Sequence, residues 1–239
     1  MSTTTTSAKQ AAIDELKQAA GNAAAAELRD GMIVGLGSGS TAKLAVDAIG
    51  RRVKEGLQII GIPTSEKTAE QARGLGIQLS TLGEYSQIDV TIDGADEVEL
   101  GTLNLIKGGG GNHLREKIVA SASRRLLIAV DESKPVARLG ERARVPVEVA
   151  QFGWQATARK LEALGATPSL RLGADAQPFV TDGGNYILDC AFARIDSAED
   201  LQRQLDSVVG VVEHGLFIGL TSVVFVATAQ GVKRLDLKS

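Results

Sequence analysis

The chain has 239 residues, room for one large domain or for a large and a small one, and 44% of them are hydrophobic. Its formal net charge is −3 with acids and bases interspersed, which excludes a dedicated nucleic-acid surface built on clustered Lys and Arg. No apolar stretch reaches the roughly 20 residues that cross a bilayer, and the single cysteine, Cys190, excludes an intrachain disulfide and points to a reducing cytoplasm.

Residues 1–7 carry Ser and Thr without the basic start and apolar middle of a secretory signal, and read as a disordered tail or an expression remnant. Residues 8–28 read as an Ala-rich helix that carries Lys17 and is stopped by Asp30-Gly31. Residues 32–36 form a short buried strand. The turn Gly37-Ser38-Gly39-Ser40-Thr41 follows, and residues 42–49 are helical. Strand, Gly/Ser turn and helix together point free backbone N–H groups at an anion, and three hydroxyls add donors. A Walker A loop would need a Lys before its Ser or Thr, and a dinucleotide fingerprint would need G-x-G-x-x-G. Neither fits, which leaves a small phosphate such as a sugar phosphate.

Residues 57–62 are a second strand, Ser65 caps a helix over 66–73, and residues 77–79 are a third strand. Short apolar strands alternating with helices predict a parallel sheet covered on both faces. Residues 88–92 lead a further strand to Asp93, Gly94-Ala95 turn the chain, and Asp96 and Glu97 follow. Ligands of open α/β sheets bind outside the carboxyl ends of the strands. Paired carboxylates there suit proton transfer or a divalent metal. With no His or further acid at ligand spacing, proton transfer and hydroxyl binding are preferred.

An apolar run then delivers Lys107 to Gly108-Gly109-Gly110-Gly111, and a helix over 113–122 begins after Asn112 and carries His113 and Glu116. Four glycines are costly to order, and a stable protein keeps them where backbone turns tightly or approaches a ligand. Taken alone, the stretch fits a surface loop equally well. The other strand ends favour an active-site reading, and this run is expected at the same sheet edge. Residues 126–130 are another buried strand, whose exit, Asp131-Glu132-Ser133-Lys134, offers a second lysine for a phosphate or carbonyl oxygen.

From about residue 141 the pattern changes. Residues 145–149 alternate as a half-buried strand, 154–164 are helical, 169–172 and 179–189 are strand-like with Asp182-Gly183-Gly184 as a hairpin turn, and 197–205 are helical. Residues 216–220 and 222–227 supply last strands of the larger sheet. The expected fold is therefore an open, mostly parallel Rossmann-like α/β sheet flanked by helices. Residues 1–143 plus 216–239 make the larger domain, and a smaller α+β, ferredoxin-like domain at 144–215 is inserted near its end.

In order along the chain, residues 35–42 (GLGSGSTA), 92–97 (IDGADE), 106–110 (IKGGG), 115–118 (REKI), 131–134 (DESK), 145–149 (VPVEV) and 180–185 (VTDGGN) closely resemble ribose-5-phosphate isomerase of type A. The resemblance implies interconversion of ribose 5-phosphate and ribulose 5-phosphate with no metal or other cofactor. It also implies a homodimer or homotetramer in the non-oxidative pentose phosphate pathway, with carbon fixation as a second setting. Glu116 would be the catalytic base. Ser38, Gly39, Ser40, Thr41, Asp93, Gly94, Ala95, Asp96, Lys107, Gly108, Gly109, Gly110 and Lys134 would bind substrate, and Lys17 matches a lysine that helps hold phosphate in some relatives. This chain has Ser38 where the family often has Thr, and Asn112-His113 is a less usual filling before Leu114.

The chemistry asks for a carboxylate at the carbon-bound proton, a stabiliser for the enediolate oxygen, a ring-opening acid/base and a phosphate grip. Glu116, Lys107 with glycine N–H groups, Asp93, and Ser38, Ser40, Thr41 and Lys134 match these needs in turn, with Asp96 on hydroxyls. The competing readings are a non-catalytic sugar-phosphate sensor, another sugar-phosphate isomerase and a CoA-transferase-like protein. A sensor would usually carry a basic recognition helix, and none is found.

Overall fold

The computed structural model describes residues 2–237. Its elements are α1 (Ser2–Ala25), β1 (Ile33–Leu36), α2 (Ser40–Lys54), β2 (Ile60–Pro63), α3 (Glu66–Gly74), β3 (Gln78–Leu79) and β4 (Val90–Asp93). There follow β5 (Glu97–Glu99), β6 (Leu105–Ile106), α4 (His113–Ser121), β7 (Leu126–Asp131), β8 (Pro135–Val136), β9 (Val145–Val149) and α5 (Trp154–Ala163). The chain ends with β10 (Ala166–Leu170), β11 (Tyr186–Phe192), α6 (Ala198–Asp206), β12 (Val211–His214), β13 (Leu216–Phe217), β14 (Val223–Thr228) and β15 (Gly231–Asp236). The expected tail over residues 1–7 falls at the start of α1, whose bounds are Ser2–Ala25. Met1 lies outside the described residues.

The chain divides into two compact units, one of Met1–Gly94, Ile118–Lys134 and Thr221–Ser239, the other of Ala95–Lys117 and Pro135–Leu220. The division read from sequence differs in assigning 95–117, 135–143 and 216–220 to the larger domain.

The first unit is built on a seven-stranded sheet in the order β15-β14-β7-β4-β1-β2-β3. All its pairs are parallel except β14 with β15. Strands β4 and β7 are buried along their whole length, and β7 reads as a continuous apolar run rather than an alternating one. The order reverses at β1: the chain winds outward to β2 and β3 on one side, then returns to β4 on the other. That reversal is a topological switch point, where the loops leaving β1 and β4 diverge and open a crevice. Ala20, Ala24 and Leu28 bury the start of the chain against Val34, Leu36, Ile49, Ile92 and Leu127 in one core.

The second unit contains the run β9-α5-β10-β11-α6-β12, with an antiparallel sheet in the order β10-β11-β9-β12. This is the split βαβ arrangement of a ferredoxin-like fold, as expected. A second sheet of short strands, β13-β6-β5-β8, belongs to the same unit. Two expectations are corrected here. Strand β6, which delivers Lys107, and β13 pair with each other and not with the parallel sheet. The hairpin is β10 with β11 across a long connection, and residues 179–181, expected as the first arm of a hairpin about 182–184, are not a strand. The Asp182-Gly183-Gly184 turn is present, closed by the Gly184 N–H on the Thr181 carbonyl at 2.9 Å. Among the described residues, no helix is long and apolar enough to cross a membrane.

Candidate active site

In the first unit, the turn after β1 is tied to the end of β4. The Gly37 N–H donates to the Ile92 carbonyl at 2.9 Å. The buried Asp93 carboxylate accepts at Oδ1 from the Ser38 N–H at 3.1 Å and from its neighbour Gly94 at 2.8 Å. Gly37 is required by this approach, since a Cβ there would stand 2.2 Å from Asp93 Oδ1. Gly39, at φ +93°, turns the chain into α2, so Ser40 and Thr41 open that helix. Lys17 on α1 donates to Ser40 Oγ at 3.1 Å, which adds a cation to the helix's own positive end.

The three hydroxyls of the turn do not share one environment. Ser38 Oγ lies 2.6 Å from Thr64 Oγ1, 3.0 Å from Ser65 Oγ and 3.3 Å from Thr68 Oγ1, in a buried cluster at the end of β2. Ser65 also caps α3 by accepting from the Thr68 N–H at 3.1 Å, the capping role expected of it. Lys134, half-buried, closes the turn after β7, its N–H on the Asp131 carbonyl at 3.2 Å.

In the second unit, the two ends of the glycine run meet. Lys107 Nζ lies 3.0 Å from Glu116 Oε2, with side-chain exposures of 3% and 4%. Lys107 also stands 5.4 Å from the centroid of the buried Phe217 ring, and Lys117 stands 5.1 Å from the same ring. A cation held over a ring in a dry site is attracted by its electron-rich face. Lys117 pairs with Glu213 and donates to the His214 carbonyl at 2.7 Å. Burial pulls its pKa down, against the opposing pull of Glu213. Within the run, the Gly109 N–H donates to Asp96 Oδ2 at 2.8 Å. Expected site residues thus gather within each unit: Lys17, Ser40 and Asp93 with the turn in one, Asp96, Lys107, Gly109 and Glu116 in the other.

Three features of the second unit were not foreseen. The guanidinium of Arg171 binds the carbonyls of Gly108 and Gly109 and is itself held by Asp189. The His113 ring is fully buried against Gly108, where a Cβ would come within 2.7 Å of Nδ1. Glu148 on β9 accepts at Oε1 from Thr181 at 2.8 Å and Asn185 at 2.9 Å. Residues 180–185 and 145–149 were singled out as motifs, but their spacing carried no role. Burial lowers the His113 pKa to about 3, with Lys117 and Arg171 adding to it and the Glu213 carbonyl opposing. Burial raises that of Glu148.

Among the described residues, one group could offer three ligand atoms to a metal, Asp206, Glu213 and His214. Those atoms are engaged already. Lys117 holds Glu213, and His214 Nε2 lies 3.1 Å from Asp206 Oδ1. His214 Nδ1 accepts from the Leu216 N–H at 3.2 Å, and burial pushes its pKa down to about 2. Cys190 is buried, and burial pushes its thiol up to about 12, away from nucleophilic use.

The model of the family ribose 5-phosphate isomerase A (phosphoriboisomerase A) matches residues 60–231. A protein of Synechococcus sp. strain JA-3-3Ab named ribose-5-phosphate isomerase A is 55% identical over 226 residues, covering 94% of this chain and 98% of that protein. The solved ribose 5-phosphate isomerase A of Methanocaldococcus jannaschii superposes with a TM-score of 0.89 at 42% identity, over 93% of this chain and 98% of that one. A D-ribose-5-phosphate isomerase in complex with phospho-erythronic acid superposes with a TM-score of 0.91 at 37% identity, over 94% and 99%.

Proposed function

The chain belongs to the ribose 5-phosphate isomerase A family, and from that premise we infer that it interconverts D-ribose 5-phosphate and D-ribulose 5-phosphate by proton transfer through an enediolate. The observation that carries the mechanism is the buried Lys107–Glu116 pair at the two ends of the glycine run. In a dry site the ammonium favours the carboxylate form of Glu116, the form a general base needs. Glu116 removes the C2 proton of the open-chain aldose. Negative charge then passes from the carboxylate to the oxygens on C1 and C2, and Lys107 is already in place to meet it. Glu116 returns the proton to C1, and a hydroxyl proton moves between the two oxygens to leave the ketose. Lys107 and the glycine N–H groups serve as the electrophile, so the step has no need of a metal.

The remaining roles follow the chemistry of the groups. Asp93 exchanges the proton that opens the sugar ring, and Asp96 accepts from substrate hydroxyls. The phosphate is assigned to the start of α2, with Gly39, Ser40 and Thr41, assisted by Lys17 and Lys134. Ser38 contributes chiefly its backbone, given where its hydroxyl is engaged. Gly94, Ala95, Gly108 and Gly110 line the substrate through backbone. The bound phospho-erythronic acid of the relative supports this reading, since a carboxylate at one end and a phosphate at the other mimic an enediolate phosphate. The cytoplasm, as a homodimer or homotetramer, is the setting that goes with this reading.

The deciding experiment is turnover of ribose 5-phosphate by purified protein in EDTA, wild type beside Glu116→Gln. Loss of a positioned base costs about 10²–10⁴-fold in rate, while phosphosugar binding should persist. A near-normal rate in Glu116→Gln removes Glu116 from the role, and an inactive wild type that still binds the phosphosugar favours a sensor.

A further inference from the structure

A run of four glycines has no side chains with which to hold its own peptide planes, and glycine accepts nearly any orientation of them. Here one bond lies within the run, the Gly111 N–H on the Gly108 carbonyl at 3.0 Å, and the planes are held from outside as well. Arg171 Nη1 donates to the Gly108 carbonyl at 2.9 Å and to the Gly109 carbonyl at 3.2 Å. The guanidinium is fixed in turn by Asp189 on β11, Nε on Oδ2 at 2.9 Å and Nη2 on Oδ1. Its backbone is fixed as well, the Arg171 N–H on the Ile187 carbonyl and the Arg171 carbonyl under the Phe179 N–H, each at 2.9 Å. A two-pronged carboxylate pair leaves the planar fork one defined direction for its remaining N–H groups.

The consequence lies on the opposite side of each peptide. In a trans peptide the C=O and N–H point apart. Carbonyls of Gly108 and Gly109 drawn toward Arg171 turn the N–H groups of Gly109 and Gly110 away from it. The Gly109 N–H is found so turned, on Asp96 Oδ2 at 2.8 Å. A full positive charge at the carbonyl also withdraws density from the peptide and strengthens its N–H as a donor.

We propose that Arg171, held by Asp189, is a positioning residue for the isomerisation: it fixes the Gly108–Gly109 peptide with its N–H on Asp96, and the Gly109–Gly110 peptide with its N–H toward the oxygen that becomes anionic in the enediolate. The proposal rests on reading the glycine run as the oxyanion-binding element of the isomerase. Arg171 touches no reacting atom in this account. Its effect is on the rate of the chemical step rather than on ground-state binding.

The test compares wild type with Arg171→Met and Arg171→Lys, following kcat and KM for ribose 5-phosphate and inhibition by phospho-erythronic acid. Loss of an oxyanion donor costs about 10²–10³ in kcat, so both variants should fall by that order, with KM changed less than about threefold. Binding of phospho-erythronic acid, whose carboxylate stands in for the enediolate, should weaken far more than KM changes. Lysine should not rescue, because a point ammonium cannot grip Asp189 with two prongs and span two carbonyls as well. Should Arg171→Met fail to fold, Arg171→Lys and the amide resonances of Gly109 and Gly110 in wild type and Arg171→Lys carry the same comparison. Undiminished kcat in a folded variant, or a loss confined to KM, overturns the proposal while the isomerase reading stands. An inactive wild type overturns both.

Discussion

His113 Nε2 stands 4.0 Å from Glu148 Oε2, and the two side chains are 0% and 1% exposed. Neither ring nitrogen, nor Glu148 Oε2, makes a hydrogen bond of good geometry. Burial disfavours the charged form of each group, which leaves a neutral imidazole beside a carboxyl whose pKa is raised. The His113 pKa is lowered from 6.5 to about 3, so the unfolded chain takes up a proton that the folded chain refuses across that interval. Stability from this group is complete above pH 6.5 and is lost as pH falls toward 3. Glu148, shifted upward, acts in the opposite sense, its contribution being present at low pH and lost as pH rises from 4.5 through its folded value. Urea unfolding of His113→Leu between pH 6.5 and 4.5 should show a pH dependence shallower than wild type by about 1.4 kcal/mol per pH unit. Equal slopes would mean that His113 is protonated in the folded protein.

The Lys107–Glu116 pair gives a prediction in which stability and rate part company. Lys107→Met leaves a buried carboxylate without its cation and should cost about 3–5 kcal/mol of stability. It should also lower kcat by about 10²–10³-fold through loss of the enediolate partner. The double variant Lys107→Met with Glu116→Gln removes both charges and should recover much of the stability while remaining inactive. Denaturant melts and turnover on the same samples read both effects. A double variant no more stable than Lys107→Met would show that the charge balance is not what holds this pair.

Much of this was legible because some constraints are local and others are not. A buried parallel strand such as β7 announces itself as an apolar run, and the Gly37–Thr41 turn as a break after the short apolar run of β1. Strands β6, β8 and β13 have two residues each, too few for any periodicity, so the sheet that carries Lys107 was invisible and its strand was assigned to the wrong sheet. β15 was missed because its residues are nearly all exposed and show no alternation. Glu116 and Lys107 stand at the ends of a motif, whereas Arg171 reaches Gly108 from 63 residues away with no pattern to mark it. Ser38 was correctly placed in the turn, but the direction of its hydroxyl depends on Thr64, just after β2, and Thr68, on α3.

Gly108 combines two constraints, a φ of +104° and a ring nitrogen 2.7 Å from where a Cβ would be. Gly101 shares the first, at φ +99°, with nothing near its missing Cβ. Gly101→Ala should therefore cost about 1 kcal/mol, the ordinary penalty of that backbone region, with turnover unchanged. Gly108→Ala should cost more and lose most of its activity, since His113 or the Lys107–Gly109 backbone has to move. Equal destabilisation by the two substitutions, with activity kept, would show that the His113 ring yields freely and that the glycine is kept for backbone freedom alone.

The turn after β1 separates hydroxyls that look equivalent in the sequence. Ser38 Oγ belongs to a buried group with Thr64, Ser65 and Thr68, so Ser38→Ala strips partners from hydroxyls that water cannot reach. It should lower stability by about 1–3 kcal/mol and shift KM little. Ser40 is exposed at the start of α2 and accepts from Lys17 at 3.1 Å. Ser40→Ala and Lys17→Met should leave stability within about 0.5 kcal/mol, as surface changes do. Each should raise KM for ribose 5-phosphate several-fold, and added salt should narrow the difference for Lys17→Met, because screening weakens a partly exposed cation's pull on a phosphate. Ribose lacking the phosphate provides the control: its slow turnover should be indifferent to either change. If Lys17→Met impaired ribose and ribose 5-phosphate alike, Lys17 would be acting on the fold of the turn and not on the phosphate.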